Sequence, residues 1–211
     1  MERLETIAEA VRADFEAQTA ARDQALGQAR SLTRHCAHAI RAIHRDDDAA
    51  AKKELAAAST LAASLKSDLA EYPDLYFSGY TQDALKEYAE ANIVQALVKE
   101  EPLPSPEELG LESAAYIKGL SEAAGELRRR VLDILRHGHS DEAERLLDHM
   151  DEIYAVLVTM DYPDAVTYGL RRLTDICRSI VERTRGDMTL SVRQQRLELS
   201  LRQMEDKLGG E

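Results

Sequence analysis

Four glutamates on two segments carry the strongest chemical signal in this sequence. Glu87 and Glu90 stand at i and i+3, and Glu122 and Glu126 at i and i+4, so each pair occupies one face of a helix. The Glu87/Glu90 face runs on through Val94 and Leu97, the pattern of an inward-facing stripe. The Glu122/Glu126 face is shared with Ala115 and Gly119 and bordered by Ala123, small residues that let another helix approach closely. Two carboxylate pairs facing one another are costly without a cation. Hard divalent ions such as Mg²⁺ take oxygen ligands and keep several waters, which suits hydrolytic chemistry. The chain also holds 39 Asp and Glu residues, so pairs at these spacings arise by chance on acidic helix surfaces. On spacing alone that plainer reading stands ahead. Neither pair carries the Glu-x-x-His pattern of a di-iron bundle.

A second constellation is basic. From Gln24 to Arg45 there is no acidic residue, in a chain whose net charge is −12. Arg34, His38, Arg41 and Arg45 fall at i, i+4, i+7 and i+11, a single helical stripe that Arg30 extends by one turn. Leu32, Cys36, Ile40 and Ile43 lie on the opposite face, and His44 closes the segment beside Arg45. Phosphate contacts are one natural use of such a stripe. Pairing with acidic helices of the same chain or of a neighbouring copy is the other, and spacing does not choose between them. Consecutive arginines at 128–130 and 171–172 point around their helices, which favours surface salt bridges. His137 and His139 flank Gly138 at a helix end, where the helix dipole accounts for them. The tyrosines between residues 72 and 80 read as packing. Cys36 and Cys177 have no paired ligand spacing and read as buried free thiols, so no zinc site is expected.

The elements that must position these residues are helices throughout, because no strand alternation occurs. Residues 2–45 contain no Pro and read as one very long helix, with Leu4, Ile7, Val11 and Phe15 at helical spacing. Asp46-Asp47-Asp48 ends it and caps a helix over about 49–71. Thr81 is the expected N-cap of a helix reaching about residue 98. Pro102, Pro104 and Pro106 mark a connection, followed by helices over about 111–136 and 140–160. Pro163 is expected in the first turn of a helix to Arg185, with Gly186 separating it from a last helix over about 189–207. This makes an all-α chain of about seven helices in a single domain, 1–211. A first helix of that length spans about 66 Å, more than one small domain can cover, so self-association is expected. No apolar run approaches the roughly 18 residues of a membrane span, and the N-terminus lacks the pattern of a signal peptide. A cytoplasmic protein without membrane contact is the expectation.

Leu85-Lys86-Glu87-Tyr88-Ala89-Glu90-Ala91 resembles the Gln-Glu-Tyr-Val-Glu-Ala segment of the translin superfamily, in its translin-associated factor X branch. The stretch Tyr116 to Leu127 is similar to that branch's Tyr-Leu-x-Gly-Val-Ala-Asp-Leu-Thr-Gly-Glu-Leu segment. Ile43-His44-Arg45, Gly169-Leu170-Arg171-Arg172 and Arg185-Gly186-Asp187 follow the same order, so the resemblance extends from about residue 25 to 186. It implies a translin-like bundle with a long first helix, assembled into a closed homo-octamer. It further implies a Mg²⁺-dependent endoribonuclease, with Mn²⁺ as a substitute, cleaving single-stranded or loosely paired RNA by metal-activated water inside the shell. Single-stranded DNA is a further ligand of such proteins. The family's metal-holding acids fall on Glu87, Glu90 and Glu122, and Glu126 matches a neighbouring family acid and would be a fourth ligand. Glu122 stands where the family has Asp, one methylene longer, which moves the oxygens by roughly 1.5 Å. The family's habit of holding RNA inside a closed shell favours RNA as the ligand of the stripe Arg34, His38, Arg41, His44 and Arg45, in which His44 and Arg45 match the family best. The alternatives are a non-catalytic translin-like RNA- or DNA-binding oligomer, and a structural scaffold whose glutamates only form salt bridges.

Overall fold

A computed structural model describes residues 1–138 and 140–208. His139, expected beside Gly138 at a helix end, lies outside the described residues. Among the described residues there are nine helices and no strand. Six are long: α1 (Glu2–His44), α2 (Asp48–Asp68), α4 (Gly79–Lys99), α6 (Ser113–Leu135), α7 (Asp141–Val158) and α9 (Leu170–Leu208). Three are single turns: α3 (Pro73–Tyr76), α5 (Pro106–Leu109) and α8 (Asp164–Thr167). The chain forms two compact units, and α4 and α6 run unbroken from one into the other.

The first unit holds residues 1–92 and 104–119. The connection between α1 and α2 is three residues, and Asp47 Oδ1 accepts from the Ala50 amide at 3.0 Å, as the triple aspartate led one to expect. So short a turn makes the two helices antiparallel neighbours. Alanine dominates their seam: α1 buries Ala25, Ala29, Ala39 and Ala42 beside Leu32, Cys36 and Ile43, and α2 buries Ala51, Ala58 and Ala62. Small side chains allow close helix packing, and polar ties fix the register. Gln24 and Gln28 both donate to Asp68 Oδ2, at 2.8 and 2.7 Å. The start of α1 is unpacked, with Leu4, Ile7, Val11 and Phe15 all exposed.

Helix α4 is buried around most of its circumference, from Ala84 to Val98, which is why it shows no single apolar stripe. It begins two residues before Thr81, which is not its N-cap: the Thr81 hydroxyl donates to the Leu75 carbonyl at 2.9 Å, tying α4 to α3. The proline-rich connection ends in a capping box, Ser105 with Glu108, and Gly110 takes the left-handed φ of +66° that closes α5. Tyr116 then donates its hydroxyl to the Pro104 carbonyl at 2.8 Å, which anchors the start of α6.

In the second unit α6, α7 and α9 are joined by ion pairs. Arg130 Nε lies 2.9 Å from Glu142 Oε1, and Arg128 reaches Thr184 Oγ1 at 2.9 Å and Asp187 Oδ2 at 2.8 Å. The arginine run at 128–130 forms salt bridges, as its spacing suggested, but Arg128 and Arg130 do so half-buried between helices rather than on the open surface. Arg145 donates to the Leu97 carbonyl at 2.7 Å and so satisfies the C-terminal end of α4.

Two expectations fail here. Pro163 precedes the single turn α8, and the long helix starts at Leu170, after Tyr168 and Gly169 adopt φ of +49° and +89°. Gly186 does not end that helix, which runs through it to Leu208. An interior glycine costs only about 1 kcal/mol against alanine, less than the flanking helix formers and the packing of α7 on α9 supply. No neighbouring atom stands within 4 Å of a Cβ at Gly186. Gly186→Ala should therefore stabilise the protein by about 0.5–1 kcal/mol, read as a higher Tm in a thermal melt.

Candidate metal centre and basic helix face

Helices α4 and α6 meet within the first unit at Gly119. A Cβ added at Gly119 would stand 2.7 Å from Ala89 Cβ, 2.7 Å from the Lys86 carbonyl oxygen and 2.9 Å from the Glu90 amide nitrogen. Two of those atoms are backbone, so the helices touch at a separation only glycine permits. Ala115, one turn earlier, is buried as well. This is the small-residue ridge read from the sequence, and it brings Glu87 and Glu90 close to α6. Glu122 stands three residues beyond Gly119 on the same unbroken helix.

One oxygen from each of Glu87, Glu90 and Glu122 lies within 4.8 Å of the other two, with Glu90 buried and the others half-buried. Among the described residues this is the one such group of potential metal ligands. Charges at that separation repel by about 3–4 kcal/mol per pair at an effective dielectric constant of about 20, a cost that a cation among them lowers. An all-carboxylate donor set fits a hard divalent ion, Mg²⁺ or Mn²⁺, better than a thiophilic one. Glu126 is outside the trio; its Oε2 lies 3.6 Å from Arg129 Nη1.

Two residues near these acids were not anticipated from the sequence. Lys86 Nζ lies 3.1 Å from Glu87 Oε1, with 12% of its side chain exposed. No signal on the segment itself could have found it, because the covering of α4 on most sides comes from tertiary packing. Cys36 is the other. Burial pushes its thiol up to about 12, and the carboxylates of Glu87 and Glu90 add to the rise. The thiol therefore stays protonated at neutral pH, in keeping with a buried free cysteine; Cys177 is also buried and free.

The basic stripe lies as its spacing predicts. Arg30, Arg34, His38, Arg41 and Arg45 are exposed, His44 is half-buried, and Leu32, Cys36, Ile40 and Ile43 face inward. Pairing with an acidic helix, one of its two suggested uses, is seen at His38. Glu54 of α2 accepts from His35 Nδ1 at 2.6 Å and lies 3.8 Å from His38 Nδ1. The hydrogen bond from His35 holds the Glu54 carboxyl below its usual range, with the charges of His35 and His38 acting the same way. Arg34, Arg41 and Arg45, by contrast, form no ion pair among the described residues.

No family model matches the chain. An uncharacterised protein of Methanocaldococcus jannaschii is 32% identical over 191 residues, 90% of this chain and 85% of that protein. AfC3PO, solved as a complex with duplex RNA, shares 32% identity at a TM-score of 0.83, covering 89% of this chain and 97% of its own. Apo-NeC3PO has the same fold, with a TM-score of 0.80 at 22% identity, over 87% of this chain and 96% of its own. The long first helix, the all-helical topology and the identity to AfC3PO over nearly its whole length agree with the resemblance carried by the two acidic segments: the chain belongs to the translin/C3PO family.

Proposed function

We propose that this protein is a Mg²⁺-dependent endoribonuclease, one translin-like domain over 1–211 that assembles with copies of itself and cleaves RNA within the assembly. The observation that carries the reading is the convergence of Glu87, Glu90 and Glu122 within 4.8 Å. These three side chains would hold the ion, with Mn²⁺ as a substitute and Glu126 as an outlying fourth acid. A bound divalent ion supplies Lewis-acid charge and an activated water for phosphodiester hydrolysis. The half-buried position of Glu87 and Glu122 leaves one side of the trio open to solvent and substrate. The close contact at Gly119 holds the Lys86–Glu90 backbone of α4 against α6.

The RNA would lie along α1, its phosphates on Arg34, Arg41 and Arg45, with His38 and His44 on the same stretch. The exposure of these arginines, which form no ion pair among the described residues, supports that use. AfC3PO's complex with duplex RNA supports RNA as the ligand class and adds duplex RNA to the single-stranded and loosely paired substrates that the family resemblance implies. Self-association, eight copies in the family resemblance, is supported by exposed apolar residues at both ends of the chain, Leu4, Ile7, Val11 and Phe15 on α1 and Leu197, Leu201 and Met204 on α9.

The test is cleavage of labelled single-stranded and duplex RNA with Mg²⁺ and with EDTA. Cleavage confined to Mg²⁺ supports the nuclease; tight binding without cleavage moves the protein to the non-catalytic, RNA-binding reading. The basic face has its own test. Arg34→Ala/Arg41→Ala should weaken RNA binding across sequences and lower the slope of log Kd against log salt by about 1–2, because two phosphate contacts go. An unchanged slope, measured by fluorescence anisotropy, would take RNA off α1.

A further inference from the structure

Lys86 is placed unlike an ordinary lysine. A lysine stem usually lies along apolar surface with its ammonium in water, and this side chain is instead 12% exposed with Nζ 3.1 Å from Glu87 Oε1. Its backbone is held at the tightest point of the α4–α6 crossing, where its carbonyl oxygen approaches Gly119. Glu87 is at the same time one of the three carboxylates whose oxygens gather within 4.8 Å. One carboxylate is therefore shared between a built-in cation and a centre suited to a divalent one.

We propose that Lys86 is the internal counter-cation of the carboxylate centre: its ammonium offsets the acids when no metal is bound and gives up Glu87 when a divalent cation enters. This rests on the metal-centre reading of the three glutamates. Two consequences follow from charge alone. Metal entry must break an existing, largely desolvated ion pair, so Lys86 lowers the affinity that the trio would otherwise have. The same ion pair stabilises the metal-free protein, because it sets a cation against one of the gathered carboxylates. Lys86 is thus an affinity-setting residue for hard divalent ions, acting through Glu87.

Mn²⁺ binding, followed by titration calorimetry and by the loss of the free-ion paramagnetic resonance signal, tests this on the full chain. Wild type is compared with Lys86→Met, Lys86→Arg and Glu87→Gln, with thermal melts in EDTA and in Mn²⁺. Lys86→Met should bind Mn²⁺ about tenfold more tightly, melt lower in EDTA and gain more from Mn²⁺ than wild type does. Lys86→Arg keeps the charge and should stay near the wild-type Kd. Lys86→Gln carries the same expectation as Lys86→Met should the latter not fold. Unchanged or weaker binding by the neutral variants, with wild-type binding still lost in Glu87→Gln, overturns the role of Lys86 and leaves the metal centre standing. Mn²⁺ binding that is absent from wild type and Lys86→Met, or indifferent to Glu87→Gln, overturns the metal centre and this proposal with it.

Discussion

Glu87→Gln/Glu90→Gln should lower Mg²⁺-dependent RNA cleavage by roughly a thousandfold or more, equivalent to about 4 kcal/mol of transition-state stabilisation. Each substitution removes a charge from the cation's donor set and leaves the side-chain volume nearly unchanged, so the fold should persist. The response to metal separates this reading from general damage. Neutralising Glu87 and Glu90 relieves carboxylate repulsion but removes the Lys86–Glu87 ion pair, so the two effects oppose one another in EDTA, while the gain in Tm that Mn²⁺ gives wild type should be lost. RNA affinity should also remain, since the arginines of α1 are untouched. Two milder variants grade the site. Glu126→Gln should lose much less activity, because Glu126 stands outside the trio and pairs with Arg129. Glu122→Asp draws the oxygens back by about one bond length, roughly 1.5 Å, and reports whether the longer side chain is matched to this crossing. Cleavage that survives the double substitution would reassign the glutamates to structure.

What the sequence conveyed about this centre is mostly what local periodicity conveys. Glu87 and Glu90 share a face because helices repeat every 3.6 residues, and Ala115 and Gly119 announce a close approach because they are small. That Glu122 meets the first pair and Glu126 does not depends on where two helices cross, a tertiary fact that spacing along one helix does not contain. The same limit hid Lys86, which reads as a surface lysine until α4 is seen to be covered on nearly every side. On α1 the exposed arginines and buried apolar residues were legible, whereas Glu54's hold on His35 and His38 came only with the packing of α2. Helix boundaries failed where a local marker was overruled. Gly186 is tolerated because its penalty is small beside that of breaking α9, and Thr81 serves the Leu75 carbonyl one turn away from the position that capping preference assigned it.

Gly119→Ala should destabilise the protein by about 1–3 kcal/mol, the cost of forcing a methyl group into a packed interface. Helix propensity alone predicts the opposite, a gain of about 1 kcal/mol from replacing an interior glycine. The geometry decides between them. Gly186, with open space around it, should obey propensity; Gly119 should not, because its new Cβ would meet the Lys86 oxygen and Glu90 nitrogen at 2.7 and 2.9 Å. Those are backbone atoms, so no rotamer change can relieve the contact and the helices must separate. The residues forced to move are those that carry the centre, Lys86 and Glu90 on α4 and the turn before Glu122 on α6. Mn²⁺ affinity should therefore fall along with Tm, even though every carboxylate is still present. Paired measurements on Gly119→Ala and Gly186→Ala, melts in EDTA and Mn²⁺ titrations, should move in opposite directions for stability and differ for metal. A Gly119→Ala protein with undiminished Tm and metal affinity would show that the α4–α6 crossing is looser than this, and that the glutamates are not held together by it.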